Sequence, residues 1–289
     1  MQLAVSTYSL WRWMREGNKS LEAAVEQIAD FGVSGVEFAG FDPYKPDASP
    51  IRRAAKLVKV AQKAGLTVVS YCVGAELLVG AETQRHEISK LKEHVDIAAE
   101  LGVTTMRHDV TRGYGEHSAG VGGAKTFENA VKHVVPAIRE VADYAATKRI
   151  RTSLENHGFF MQAAVRVEAL LKAAKHANFG LTIDMGNFLC VNDDPVKAVK
   201  RLAKFAQMAH VKDFHVRPKD RMPPTGWFAT PTAIALRGAI VGHGTIDIPA
   251  QIKLLKAAGY DQWLSLEFEG MEEPTMAIRL GLEYLRKLI

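Results

Sequence analysis

Short apolar runs alternate along the chain with longer stretches whose apolar residues recur at helical spacing. Four times a helical stretch ends at a glycine that leads into an apolar run, at Phe31-Gly32-Val33, Ala64-Gly65-Leu66, Leu101-Gly102-Val103 and Ala258-Gly259-Tyr260. Glycine is expected just after a helix because it adopts the left-handed conformation without a steric penalty. The repeat of helix, glycine and strand predicts βα units rather than a helical bundle.

Eight strands and eight helices follow from this pattern. The strands are predicted near Leu3–Tyr8, Gly35–Phe38, Thr67–Tyr71, Thr104–His108, Arg151–Glu155, Gly180–Asp184, Met208–Lys212 and Trp263–Glu267. The helices are predicted near Leu21–Asp30, Ile51–Lys63, Ile88–Glu100, Asn129–Ala146, Val165–His176, Pro195–Lys204, Ile248–Ala257 and Pro274–Leu288. This count favours an α/β fold, a (β/α)8 TIM barrel that forms a single domain over residues 1–289, and an open doubly wound sheet is the alternative.

Two connections are longer than the others, at about residues 109–126 and 213–246. Loops longer than about 12–15 residues are usually functional or disordered. Both connections follow strands, and the active sites of TIM barrels lie at the carboxyl ends of the strands. We therefore interpret both as candidate active-site lids, with surface insertions as the alternative.

The composition and charge of the chain restrict the class of protein, its partners and its cellular compartment. Hydrophobic residues make up 47% of the chain and charged residues 24%, which is typical of a globular protein. The net charge of +5 is diffuse, so no nucleic-acid partner is expected. Cys72 and Cys190 are the only cysteines and indicate a reducing compartment. Without a signal peptide pattern or a long apolar run, we expect a cytoplasmic protein with no membrane partner.

The later strands end in groups that bind metals. Glu155, Asp184, His210 and Glu267 close four successive predicted strands, and the strand ends of a closed barrel lie around one rim. Three carboxylates brought together repel one another unless a cation lies between them. Three oxygen donors and one imidazole favour one divalent ion, Mn²⁺ first, with Mg²⁺, Co²⁺ or Zn²⁺ as alternatives.

Further polar and aromatic side chains lie near the same rim and are candidates for substrate contact. They are Asn187, Lys212, His215, Arg217, Arg107, His108, Glu37 and Trp11. For Glu37 the alternative is a bond to a neighbouring side chain. His157 and His243 are interpreted as structural rather than catalytic.

The chain resembles the xylose isomerase-like barrel superfamily, which holds ketose 3-epimerases, inosose dehydratase and endonuclease IV. The resemblance spans nearly the whole chain. Its most specific parts are Leu154-Glu155-Asn156-His157, Thr182-Ile183-Asp184-Met185-Gly186-Asn187, His210-Val211-Lys212-Asp213, Gly242-His243-Gly244-Thr245-Ile246-Asp247 and Leu266-Glu267. It implies that Glu155, Asp184, His210 and Glu267 hold one divalent ion and that Glu155 and Glu267 also move a proton.

The resemblance implies an isomerase or epimerase for a small carbohydrate or cyclitol, phosphorylated or not. The reaction would start by proton abstraction next to a carbonyl and pass through a metal-stabilised enediolate. A dimer or tetramer is implied as well. Asn187 stands where the epimerases and endonuclease IV commonly have a histidine, which counts against a multi-metal DNA-repair site. The alternatives are a same-fold dehydratase acting on a keto-sugar or keto-cyclitol, a non-catalytic sugar-binding barrel and an endonuclease IV-like enzyme.

Overall fold

The computed structural model describes residues 1–39 and 49–289 and forms a closed barrel of eight parallel strands. In chain order these strands are β1 Gln2–Ser6, β2 Gly35–Ala39, β3 Thr67–Val73, β4 Thr105–His108, β5 Arg151–Glu155, β6 Phe179–Asp184, β7 Ala206–Val211 and, after three strands that lie outside the barrel, β11 Trp263–Leu266. Strand β1 pairs with both β2 and β11, which closes the ring. The predicted (β/α)8 barrel is confirmed.

Helices surround the barrel. They are α1 Trp11–Glu16, α2 Leu21–Ala29, α3 Pro50–Lys63, α4 Ala81–Glu100, α5 Phe127–Thr147, α6 Ala164–Ala174, α7 Pro195–Leu202, α8 Ile248–Ala257 and α9 Pro274–Arg286. The four glycines that the sequence placed after helices all have positive φ angles, between 68° and 83°. Within the described part of the chain, no helix combines the length and the apolar character that crossing a membrane requires.

Several element boundaries differ from the sequence prediction, and two of these differences have a clear local cause. Helix α4 begins at Ala81 rather than Ile88, because a polar first turn from Glu82 to Glu87 extends it without an apolar face. Strand β1 ends at Ser6 rather than Tyr8. The Ser6 hydroxyl accepts a hydrogen bond from the Tyr8 backbone N–H and starts a short 3-10 helix over Thr7–Leu10.

The barrel interior changes from apolar to polar along its axis. A small apolar layer of Ala4, Val69 and Met208 fills one level, with Trp263 packed against it. Beside this layer, where Thr182 of β6 pairs in register with Met208 of β7, the Ser153 and Thr182 hydroxyls share a 2.8 Å hydrogen bond. Because successive side chains of a strand point to opposite faces, the next inward positions of these strands carry the candidate ligands.

The predicted lid at residues 213–246 contains regular structure. Strands β8 Asp213–Pro218, β9 Phe228–Ala229 and β10 Ile234–Ala239 form an antiparallel sheet in the order β8-β10-β9. We call residues 213–246 the antiparallel extension. Its base is held by Asp213, whose carboxylate accepts hydrogen bonds from the backbone N–H groups of Phe214, Gly242, Gly244 and Ile246 at 2.8–3.2 Å.

Candidate metal centre and active site

Strand alternation brings the four predicted ligands together. One donor atom from each of Glu155, Asp184, His210 and Glu267 lies within 4.8 Å of the others. All four residues are at most 5% exposed. The Nδ1 atom of His210 lies 3.5 Å from Oε1 of Glu155 and 3.5 Å from Oε1 of Glu267. Three carboxylates therefore face one imidazole at the carboxyl end of the barrel.

Two buried atoms of this cluster that could bind a metal have no hydrogen-bond partner. They are the Oδ2 atom of Asp184 and the Nδ1 atom of His210. Oδ1 of Asp184 accepts hydrogen bonds from the backbone N–H groups of Gly186 at 2.8 Å and Asn187 at 2.7 Å, which aims Oδ2 into the cluster. Unsatisfied buried polar atoms are costly, and binding a cation satisfies both atoms at once. The donor set therefore fits a divalent metal.

A fourth carboxylate, Glu37, fixes the orientation of the His210 imidazole from its other side. The Nε2 atom of His210 donates to Glu37 over 3.0 Å, and Glu37 is fully buried. The Ser265 hydroxyl donates to the other Glu37 oxygen at 3.3 Å. A carboxylate on the far nitrogen of a metal-binding histidine fixes the tautomer and leaves the near nitrogen as the ligand. Glu37 thus holds Nδ1 of His210 toward the cluster.

Two cationic side chains also enter the cluster. Nε of Arg107 donates to Oε2 of Glu155 at 2.6 Å, and the amide of Asn187 donates to Oε1 of the same carboxylate at 3.0 Å. Nζ of Lys212 lies 3.0 Å from Oε2 of Glu267 and 3.5 Å from Oδ2 of Asp184. Arg107 therefore pairs with Glu155, and Lys212 pairs with Glu267.

These pairings set the protonation states. Burial alone would raise the pKa of Glu155, but Arg107 and His210 hold it well below its usual range. Burial raises the pKa of Asp184 to about 6, against the opposing attraction of Lys212. Burial would lower the pKa of His210, but Glu37, Glu267 and Glu155 raise it well above its ordinary value. Positive charge on His210, Lys212 and Arg107 therefore offsets part of the negative charge of the carboxylates.

A cavity of about 550 Å³ opens above this cluster and has the volume of a small-ligand site. Five predicted site residues line it, namely Glu155, Glu267, Arg107, Asn187 and Lys212. Gly226, Phe228 and Gly238 of the antiparallel extension also line it, whereas no residue of the other long connection, 109–126, does. The lid role of both connections stays a prediction.

Five predicted substrate contacts lie outside the cavity lining, namely Glu37, His108, His215, Arg217 and Trp11. Glu37 lies behind His210, as described above.

Local geometry explains the other four positions. His108 follows the inward-facing Arg107, so strand alternation turns it outward, where its ring packs against Phe179 at 5.9 Å. Trp11 begins α1 and is 55% exposed. His215 and Arg217 lie within β8, which runs away from the barrel rim. The Arg217 guanidinium lies 5.3 Å from the centre of the Trp227 ring.

Three residues that line the cavity are not among the predicted metal-binding, catalytic and substrate-binding residues. Glu269 lies two positions beyond Glu267. Side chains two positions apart on an extended segment face the same side, as His210 and Lys212 do, so this rule could have identified Glu269 from the sequence. Tyr8 donates a hydrogen bond to Glu269 at 2.8 Å. His157 lines the cavity with its Nδ1 atom 3.5 Å from Asp109, and this hydrogen bond raises its pKa.

The chain belongs to the xylose isomerase-like TIM barrel family, whose model matches residues 25–288. Its relatives include an inosose dehydratase from Clostridium botulinum (strain Eklund 17B / Type B), 21% identical over 281 residues that cover 93% of this chain and 89% of the relative.

Two solved structures share the fold along nearly their full length. The IolI protein with a bound zinc atom has a TM-score of 0.76 at 18% identity, covering 100% of this chain and 99% of that one. A D-allulose 3-epimerase from Methylomonas sp. has a TM-score of 0.74 at 16% identity, covering 100% and 98%. At these identities the likeness establishes the fold alone. The relatives include enzymes of two reaction classes, epimerases and dehydratases.

Proposed function

We propose that this protein is a divalent-metal-dependent isomerase or epimerase of a sugar or cyclitol, and that it removes a proton next to a carbonyl group. The observation that carries the proposal is the pair of unsatisfied buried atoms, Oδ2 of Asp184 and Nδ1 of His210, at the centre of a four-residue donor set. Three oxygens and one nitrogen suit Mn²⁺ first, with Mg²⁺, Co²⁺ or Zn²⁺ as alternatives.

When bound, the cation would act as a Lewis acid on the substrate oxygens and stabilise the negative charge that proton removal creates. The chain supplies the base. Both oxygens of Glu155 already accept hydrogen bonds, from Arg107 and Asn187. Glu267 has Lys212 on Oε2 and lines the cavity. We therefore assign Glu267 as the group that takes the substrate proton, with Lys212 holding its carboxylate in place.

A dehydratase is the second candidate, and the Arg107–Glu155 ion pair favours it. Epimerisation uses a second group that returns the proton, and a glutamate whose pKa is held well below its usual range returns a proton poorly. Asn187 cannot shuttle a proton in its place. A dehydratase requires one base and one acid for the leaving hydroxyl. His157 lines the cavity and is oriented by Asp109, so it is the acid in this alternative.

Incubating the metal-loaded protein with keto-sugars and keto-cyclitols in D₂O separates the candidates. An isomerase or epimerase yields a deuterated isomer, whereas a dehydratase yields an unsaturated product with loss of water. Mass spectrometry and proton NMR distinguish these outcomes. Metal binding with neither a deuterated isomer nor an unsaturated product from any substrate would contradict both and favour a non-catalytic sugar-binding barrel.

Glu267→Gln tests the assignment of the base. The amide keeps a neutral oxygen donor but cannot accept the proton, so turnover is expected to fall by about 10²–10⁴-fold, with most of the metal content retained. Glu283→Gln makes the same change on the exposed face of α9 and serves as the matched control. Unchanged turnover in Glu267→Gln would contradict the assignment.

A further inference from the structure

The cationic side chains at the cavity are all engaged by carboxylates. Among the described residues that line it, the lysine and arginine side chains are Arg107 and Lys212. Arg107 contacts Glu155 at 2.6 Å and lies 3.4 Å from Asp109. Lys212 lies 3.0 Å from Glu267 and 3.8 Å from Glu269. A phosphate or carboxylate on a substrate would have to displace one of these partners.

Negative charge exceeds positive charge around the cavity. Six carboxylates line it or lie directly behind it, namely Glu37, Asp109, Glu155, Asp184, Glu267 and Glu269. Arg107, Lys212 and a bound dication would together supply four positive charges, two fewer than the negative charges of these six carboxylates. A substrate with its own negative charge therefore enters an unfavourable potential even when the metal is bound.

Glu269 brings this negative charge to the cavity mouth. Its side chain is 24% exposed, and its Oε2 atom accepts the hydrogen bond from Tyr8 at 2.8 Å. An ionised carboxylate only accepts hydrogen bonds. A substrate hydroxyl can donate to it, whereas a phosphate or carboxylate oxygen presents a second acceptor of the same charge.

We propose that the site takes an uncharged polyol, a neutral keto-sugar or keto-cyclitol, and discriminates against phosphorylated and carboxylated substrates. Glu269 accepts a hydrogen bond from a substrate hydroxyl and contributes to this discrimination. The inference rests on the proposed function, because it identifies the substrate class of the same site.

Ligand binding tests the inference without requiring turnover. Isothermal titration calorimetry on metal-loaded protein compares ketoses, myo-inositol and inososes with their monophosphates and with uronates. Neutral ligands are expected to bind at least about tenfold more tightly than the matched anionic ones. Glu269→Gln removes one charge and is expected to narrow this ratio several-fold, while Glu283→Gln on the surface of α9 is expected to leave it unchanged.

The outcomes separate the substrate class from the reaction. Tighter binding of a phosphate or uronate than of its neutral counterpart would overturn the inference, as would no binding of any neutral ligand. An unchanged ratio in Glu269→Gln would overturn the role given to Glu269. Neutral selectivity with neither a deuterated isomer nor an unsaturated product in D₂O would support the inference while contradicting the proposed enzymatic function.

Discussion

The hydrogen bond between Glu37 and Nε2 of His210 has a measurable consequence for metal binding. Partners of this kind typically contribute a factor of 10–100 to metal affinity because they orient the imidazole and raise its basicity. We expect Glu37→Gln to weaken binding of Mn²⁺ by about 10–100-fold in mildly alkaline buffer, where protons compete least. Competition with a fluorescent chelator measures the affinity.

Ser265→Ala is the matched control, since it removes the weaker 3.3 Å hydrogen bond to Glu37 and leaves the histidine contact intact. Its effect on affinity is expected to be several-fold smaller. Equal affinity in Glu37→Gln and the parent protein would contradict the positioning role of Glu37.

Metal binding is expected to release protons. The pKa of His210 is raised well above its ordinary value, so the metal-free imidazole is protonated at neutral pH and must lose that proton from Nδ1 to become a ligand. Asp184 has a pKa of about 6, so it also releases a proton when binding occurs in more acidic solution. Affinity therefore rises with pH and falls more steeply below about pH 6.

Calorimetry in two buffers of different ionisation enthalpy counts these protons. About one proton is expected per metal ion at neutral pH and more than one below pH 6. A binding enthalpy that does not depend on the buffer at neutral pH would contradict a protonated His210.

Single residues show what the sequence could and could not predict about the site. The order of Glu155, Asp184, His210 and Glu267 on successive strands was enough to place four ligands together, because barrel geometry brings strand ends to one rim. The pairing of Glu37 with His210 has no local sequence signal, since the two positions are 173 residues apart. The outward direction of His108 followed from strand alternation and could have been predicted.

At the scale of elements, the antiparallel extension depends on Asp213. Its two carboxylate oxygens each accept two backbone N–H groups, and they approach Gly244 so closely that an added Cβ would lie 2.1 Å from Oδ1. This explains the glycine at position 244. The base of the extension is therefore a set of buried backbone donors that one carboxylate satisfies.

Asp213→Asn is expected to destabilise this extension. The amide replaces one acceptor oxygen with a donor that faces two N–H groups, which costs about 2–4 kcal/mol in the free energy of unfolding or of local opening. Urea denaturation gives the global change, and hydrogen exchange over residues 213–246 gives the local one. Asp220→Asn, an exposed substitution in the same extension, is the control. Equal protection in both variants would contradict the role of Asp213.

Elements also differ in how well their boundaries could be predicted. Four of the barrel strands, β2, β3, β4 and β11, follow a glycine that ends a helix, a local signal that recurs along the chain. Strands β8 and β10 were assigned to a loop, since they lie among prolines and glycines and are set by antiparallel pairing with each other, from Asp213 with Ala239 to Pro218 with Ile234. Pairing of that kind is a tertiary property.

At the scale of the whole molecule, the candidate metal ligands come from β5, β6, β7 and the residue that follows β11, so a bound cation would link four strands of the barrel. A ligand that binds only the folded protein stabilises it by about 4 kcal/mol at a free concentration a thousand times its Kd. For a chain of this size we expect Mn²⁺ to raise the Tm by about 8–16 °C and a chelator to reverse the rise. Differential scanning fluorimetry measures the shift. An equal shift in Asp184→Asn would contradict binding at this centre.

The most direct test of the metal centre is the metal content of the purified protein and of Asp184→Asn, measured by elemental analysis after dialysis against a mixture of divalent ions. Asp220→Asn controls for the loss of one surface carboxylate. We expect about one equivalent in the parent protein and in Asp220→Asn, and little in Asp184→Asn, which loses the negative charge of a carboxylate whose Oδ2 atom has no hydrogen-bond partner. No metal in the parent protein, or an unchanged content in Asp184→Asn, would contradict the account.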